Sequence, residues 1–96
     1  MSERAAFLVP VDDAHVKRER AKARELRRSP WWLRRRSSGV CHYCGAPVGA
    51  PAVTMDHLVP IIRGGRSVKG NVVPACKPCN DAKKHSLIFE WEPASR

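Results

Sequence analysis

Acidic residues are scarce in this chain of 96 residues: 9 Asp or Glu stand against 18 Lys or Arg, leaving a formal charge of +9. That surplus points to a polyanionic partner, nucleic acid first and an anionic membrane surface second, because basic groups gain affinity by displacing counterions from phosphates. Long apolar runs are missing too. No stretch approaches the roughly 18 apolar residues of a membrane span. Residues 1–10 lack the charged-then-apolar order of a secretory leader, so an intracellular protein is expected. Internal repeats and low-complexity tracts are absent, and at this length a single domain is expected. So short a chain buries too little apolar surface to be stable without a staple. Four cysteines are available to supply one.

Residues 1–12 show a brief apolar patch, Phe7-Leu8-Val9, and no periodicity, which predicts a flexible arm. Asp12 or Asp13 is suited to cap a helix running to about Arg28, since a short acidic side chain accepts from the free amides of a first turn. Ser29-Pro30 ends that helix and starts a second, with Ser29 as cap, Pro30 in the first turn and Gly39 as the stop. Between residues 17 and 36 ten Lys or Arg face only Glu19 and Glu25. Residues 13–38 are therefore expected to be a basic helical extension, with phosphate contacts from Lys17, Arg20, Arg24, Arg27, Arg28, Arg34, Arg35 and Arg36. Trp31 and Trp32 are large hydrophobes that a small core needs, so core or docking roles are favoured over base stacking.

The four cysteines form two turns, Cys41-His42-Tyr43-Cys44 and Cys76-Lys77-Pro78-Cys79. In a reducing compartment such pairs point to a metal rather than to disulfides. Two Cys-x-x-Cys turns complete a tetrahedral four-sulfur shell that suits structural zinc and leaves no position for water. His42 then lies outside the sulfur shell. Between the turns, residues 53–59 read as a strand, 60–70 as a loop carrying Gly64-Gly65, and Val72-Val73 as a returning strand, which together predict a hairpin. A short helix is expected from Cys79 to about His85, and residues 87–91 as a cover for the core.

Asp56 and His57 sit side by side between the cysteine turns. With Pro60, Gly64-Gly65, Asn71-x-x-Pro74 and Cys76-x-x-Cys79-Asn80-x-x-Lys83, they form a pattern that resembles the HNH endonucleases from Cys41 to Lys83. The resemblance implies a small α+β fold, the ββα-metal (His-Me) finger, here stapled by four-cysteine zinc over residues 39–96 and preceded by the basic helices. It implies His57 as the general base, Asn71 as the residue that shapes the hairpin loop, and Asp56 and Asn80 as ligands of a catalytic divalent ion. Asn80 stands where many members have a third His. His85 is the alternative ligand, although on a continuing helix it would lie about 140° from Asn80. Strand alternation sends Asp56 and His57 to opposite faces, so a bend or bulge is expected there.

Magnesium or manganese suits oxygen ligands and phosphoryl chemistry, and other divalent transition metals are also admitted. DNA is the expected partner, held mainly through its backbone, with Arg63, Arg66, Lys83 and Lys84 as further contacts. The expected setting is the cytoplasm of a bacterium or a phage-infected cell, with the protein acting as a monomer or weak dimer. Two rivals remain at this point. A non-catalytic zinc-stabilised nucleic-acid-binding module explains the cysteines and the charge but gives Asp56, His57, Asn71 and Asn80 no role. A secreted disulfide miniprotein predicts no metal at all.

Overall fold

The computed structural model describes residues 11–87, 90 and 91. Most of the expected N-terminal arm, residues 1–10, lies outside them. Helix α1, Asp13–Arg27, starts where Asp12 Oδ1 accepts the His15 amide at 2.8 Å. Arg24 and Arg27 fall in its last turn, where the helix dipole favours positive charge. Arg28 caps the C-terminus, and Ser29 begins helix α2, Pro30–Arg36, by accepting the Trp32 amide at 3.1 Å. Gly39, at φ 67°, follows the helix, and a Cβ there would meet the Gly49 backbone at 2.7 Å. Among the described residues no helix is long and apolar enough to cross a membrane.

Strands β1, Val53–His57, and β2, Val72–Cys76, form an antiparallel hairpin with an unbroken register from Val53↔Cys76 to His57↔Val72. Of the bend or bulge expected at Asp56-His57, no bulge interrupts the register, and a bend follows directly afterwards at Leu58 and Val59. In a two-stranded sheet both strands are edges, so Pro74, which has no amide hydrogen to donate, is tolerated in β2. Its carbonyl takes the His42 amide at 2.8 Å, which ties the first cysteine turn to the hairpin.

Both faces of the hairpin are covered. On one, Met55 and Val72 pack with Trp32 in a buried cluster to which Leu26 and Trp31 add, so both tryptophans serve the core and its margin. The other face meets helix α3, Lys77–Lys83, which starts two residues earlier than expected because Cys76 takes the N-cap position and Pro78 lies in the first turn. Here Cys41, Ala75, Cys76 and Cys79 form a second cluster, covered by Tyr43, Cys44 and Trp91. Leu87 is buried and Trp91 stands edge-on to Tyr43, as the expected cover requires, while residues 88 and 89 lie outside the described set.

The hairpin loop is braced by Asn71. Its Oδ1 accepts the Val59 amide at 2.9 Å, and its Nδ2 donates to the carbonyls of Val59 at 3.0 Å and Arg66 at 2.8 Å. Gly65 lies so close to the Val59 carbonyl that a Cβ would come within 1.7 Å of its oxygen, which explains the small residue at this point.

Candidate functional site

The cysteine turns converge. All four sulfurs lie within 4.8 Å of one another, Cys44 and Cys76 being 3.8 Å apart, and none is in a disulfide. Zinc with four thiolates at about 2.3 Å places its sulfurs about 3.8 Å apart, so the donor set and its size suit that ion. Burial pushes the Cys76 and Cys79 thiols up. Cys41 feels the same burial, but the backbone amides of Cys44, Cys76 and Tyr43 outweigh it and bring the thiol down to about 7. A cation among the sulfurs would draw Cys76 and Cys79 into the thiolate form despite their burial. His42 is exposed and outside the cluster, as expected.

The first cysteine turn also reaches the carboxylate. Tyr43, inside that turn, donates its hydroxyl to Asp56 Oδ2, and Lys83 Nζ lies 3.2 Å from the same oxygen while donating to the His57 carbonyl at 3.0 Å. Burial and the Asp56 carboxylate push the Tyr43 phenol up, so it remains a neutral donor. Asp56 Oδ1 accepts no hydrogen bond among the described residues. Asn80 is turned in a complementary way: its Nδ2 donates to Thr54 Oγ1 at 2.8 Å, which leaves its carbonyl oxygen for the open side. Asp56, Asn80, His57, His85, Arg20 and Lys84 share the walls of a cavity of about 460 Å³.

His57 occupies the opposite face of β1 from Asp56, toward α1, yet as the last strand residue it reaches the same cavity. Its Nε2 lies 2.9 Å from Ser67 Oγ. Burial pushes the imidazole below its ordinary range; Asp56 opposes this, and Arg27 and Lys83 reinforce it. His57 is therefore neutral at physiological pH. A second cavity, of about 370 Å³, lies between His57, Ile61 and the α1 residues Arg20, Ala23, Arg24 and Arg27.

Several expected contacts are placed otherwise. Lys83 is not a free phosphate contact, because it is wholly buried against Asp56. Arg63 forms a two-pronged pair with Glu90, at 2.6 and 3.1 Å, which already meets its charge. His85 lies beyond the end of α3, past Lys84 at φ 48°, so the helical angle separating it from Asn80 does not apply and both line one cavity. Lys17, Arg20, Arg24, Arg27, Arg28, Arg34, Arg35, Arg66 and Lys84 are exposed, and Arg36 is half-buried.

Tyr43, Ser67 and Glu19 were not legible as parts of the site. Glu19 is buried on α1, where its Oε1 accepts the Ser67 amide at 2.7 Å and its Oε2 lies 3.6 Å from both Arg18 and Lys22. The Ser67 amide, opposed by burial and helped by Lys22, holds this carboxyl below its ordinary value of 4.5. A depressed carboxylate adds stability above the unfolded value, and that stability is lost as pH falls through the folded value. Wild type is therefore expected to melt above Glu19→Gln at neutral pH, with the gap closing below about pH 4.5. Thermal melts of the two proteins across pH test this, and a gap independent of pH contradicts it.

A hairpin followed by a short helix, with a four-cysteine cluster beneath and carboxylate, imidazole and amide at one cavity, defines a small α+β fold of the ββα-metal class. Residues 41–86 match the model of the HNH endonuclease family, and this segment of the chain belongs to that family. Over 52 residues the chain is 35% identical to the CRISPR-associated endonuclease Cas9 of Actinomyces naeslundii and equally to that of Corynebacterium diphtheriae. These alignments take in 53% of this chain but 5% of each relative. Both basic helices lie ahead of the segment that matches the family.

Proposed function

We propose that this chain is a metal-dependent DNA endonuclease in which His57 is the general base and Asp56 and Asn80 hold a divalent ion. The reading rests on one observation: two oxygens without hydrogen-bond partners among the described residues, Asp56 Oδ1 and Asn80 Oδ1, share a cavity with a neutral imidazole. Magnesium or manganese bound by those oxygens would neutralise charge on the phosphoryl and leaving oxygens of a phosphodiester. The rest falls to the protein. Tyr43 and Lys83 fix Asp56 Oδ2 so that Oδ1 points outward, and Thr54 orients the Asn80 amide. His57 takes a proton from the attacking water, and Asn71 keeps the adjoining loop in shape. The family segment and the nuclease named in both relatives support a nucleic-acid substrate for this site.

Arg20, Arg24 and Arg27 line the cavity beside His57 and are assigned to the DNA backbone on either side of the cut. Replacing all three by Ala should reduce the slope of log affinity against log salt by about 2.7, at roughly 0.9 for each phosphate no longer neutralised. Anisotropy titrations over a range of salt measure this, and an unchanged slope removes these residues from the interface.

One site per chain cuts one strand per encounter, so nicked circles are the expected first product. Supercoiled plasmid incubated with the pure protein and magnesium or manganese tests the activity, and resealing of the nicks by DNA ligase tests for 5′-phosphate and 3′-hydroxyl ends. Protein that binds plasmid but never nicks it favours the non-catalytic module.

A further inference from the structure

We infer that helix α1 sets the tautomer of His57, acting through Ser67, so that Glu19 and Ser67 are positioning residues for the general base. The inference rests on the proposed role of His57, and it concerns residues of which Glu19 lies outside the segment that matches the family.

A serine hydroxyl has one hydrogen to give. Ser67 Oγ lies 2.6 Å from the Glu19 backbone carbonyl, which can only accept, so the hydrogen is committed there. Toward His57 Nε2, at 2.9 Å, Ser67 therefore offers only a lone pair, and Nε2 must carry the hydrogen. Nδ1 is left with the lone pair, and it is the nitrogen that can take a proton from water. The serine cannot easily turn away. It is buried, and its own amide is held by Glu19 Oε1 at 2.7 Å, so one residue of α1 grips it at both backbone and side chain. The basic helix thus does more than carry arginines. The Glu19 backbone carbonyl takes the Ser67 hydroxyl hydrogen, and its buried carboxylate holds the Ser67 amide so that the serine stays in place beside the imidazole.

Glu19 is singled out by its surroundings. A carboxylate among ten basic residues would ordinarily be solvated and exchange partners freely, yet this one is almost fully covered, and its Oε1 is spent on the Ser67 amide. Replacing it by Gln keeps an acceptor for that amide, whereas Ala removes it. The two substitutions separate the hydrogen-bonding role from the charge.

The test is nitrogen-proton correlation spectroscopy of the imidazoles in the zinc-loaded chain, with His57 assigned by the signal lost in His57→Ala. Wild type and Glu19→Gln should show His57 as the Nε2–H tautomer alone. In Ser67→Ala and Glu19→Ala an Nδ1–H population should appear, and kcat on plasmid should fall on the order of tenfold with KM unchanged, a loss of the size seen when partners that orient a histidine are removed. A wild-type Nδ1–H tautomer overturns the inference, as does a single unchanged tautomer in both Ser67→Ala and Glu19→Ala. If Ser67→Ala does not fold, the wild-type tautomer and the Glu19 pair still decide. Wild type that shows the expected tautomer but cuts nothing refutes the nuclease reading and leaves the positioning intact. Wild type that cuts with a mixed tautomer refutes the positioning alone.

Discussion

Stripping the metal from the four-cysteine cluster should unfold the chain, and Cys79→Ser should do the same. One of the two buried clusters consists largely of the cysteines themselves, with Tyr43 and Trp91 packed on them. Without a cation those sulfurs are buried polarisable groups with little to hold them together. Structural zinc contributes about 10–16 kcal/mol to small domains of this kind. Whole domains are stable by about 5–15 kcal/mol, so the loss is comparable with everything that keeps the fold. The damage would also reach the carboxylate, because Tyr43 sits between Cys41 and Cys44 and holds Asp56 Oδ2. Metal analysis should return one zinc per chain, and a strong chelator should abolish the thermal transition and the far-ultraviolet signal of the helices. A chelated protein that still melts cooperatively at the same temperature contradicts this.

His57→Ala should lower cleavage by about 10²- to 10⁴-fold, the range that a positioned general base contributes. Binding should change little, since the arginines beside His57 are on α1 and remain in place. The fold should survive, because His57 ends β1 and its side chain borders open cavity. Asp56 is a poorer choice for this purpose. Removing its carboxylate strands the wholly buried Lys83 ammonium without its partner, a change that destabilises by about 3–5 kcal/mol and would mix folding with catalysis. Single-turnover cleavage and anisotropy binding on the same samples separate the two effects.

Local signals in the sequence were the reliable ones. Asp12 and Ser29-Pro30 start the two helices, and Gly39 turns the chain shortly after the second, because caps and turns depend on a few adjacent residues. The cysteine turns were legible for the same reason, each being one short turn with two sulfurs. Contacts across the fold left no such mark. Lys83 meets Asp56 across 27 positions (83 − 56), and Ser67 meets Glu19 across 48 (67 − 19). No spacing rule links such pairs, so Lys83 looked like one more surface lysine. The rarity of acids among the ten bases was the one available hint for Glu19. No bulge is needed at Asp56-His57, and the bend comes only after the strand, for a geometric reason. The two side chains leave on opposite faces near the strand end, and the cavity wraps around that end. His85 was misplaced because the helix that would have carried it away from Asn80 stops at Lys83.

We propose that this cavity hydrolyses DNA with His57 as the base. Supercoiled plasmid incubated side by side with wild type and His57→Ala, across magnesium, manganese and a chelator control, tests it most directly. Wild type should give nicked circles with at least one of the two ions and none in chelator, and the variant almost none although it still binds plasmid. Full cleavage by His57→Ala, or wild type that binds plasmid and leaves it supercoiled in every ion, contradicts it.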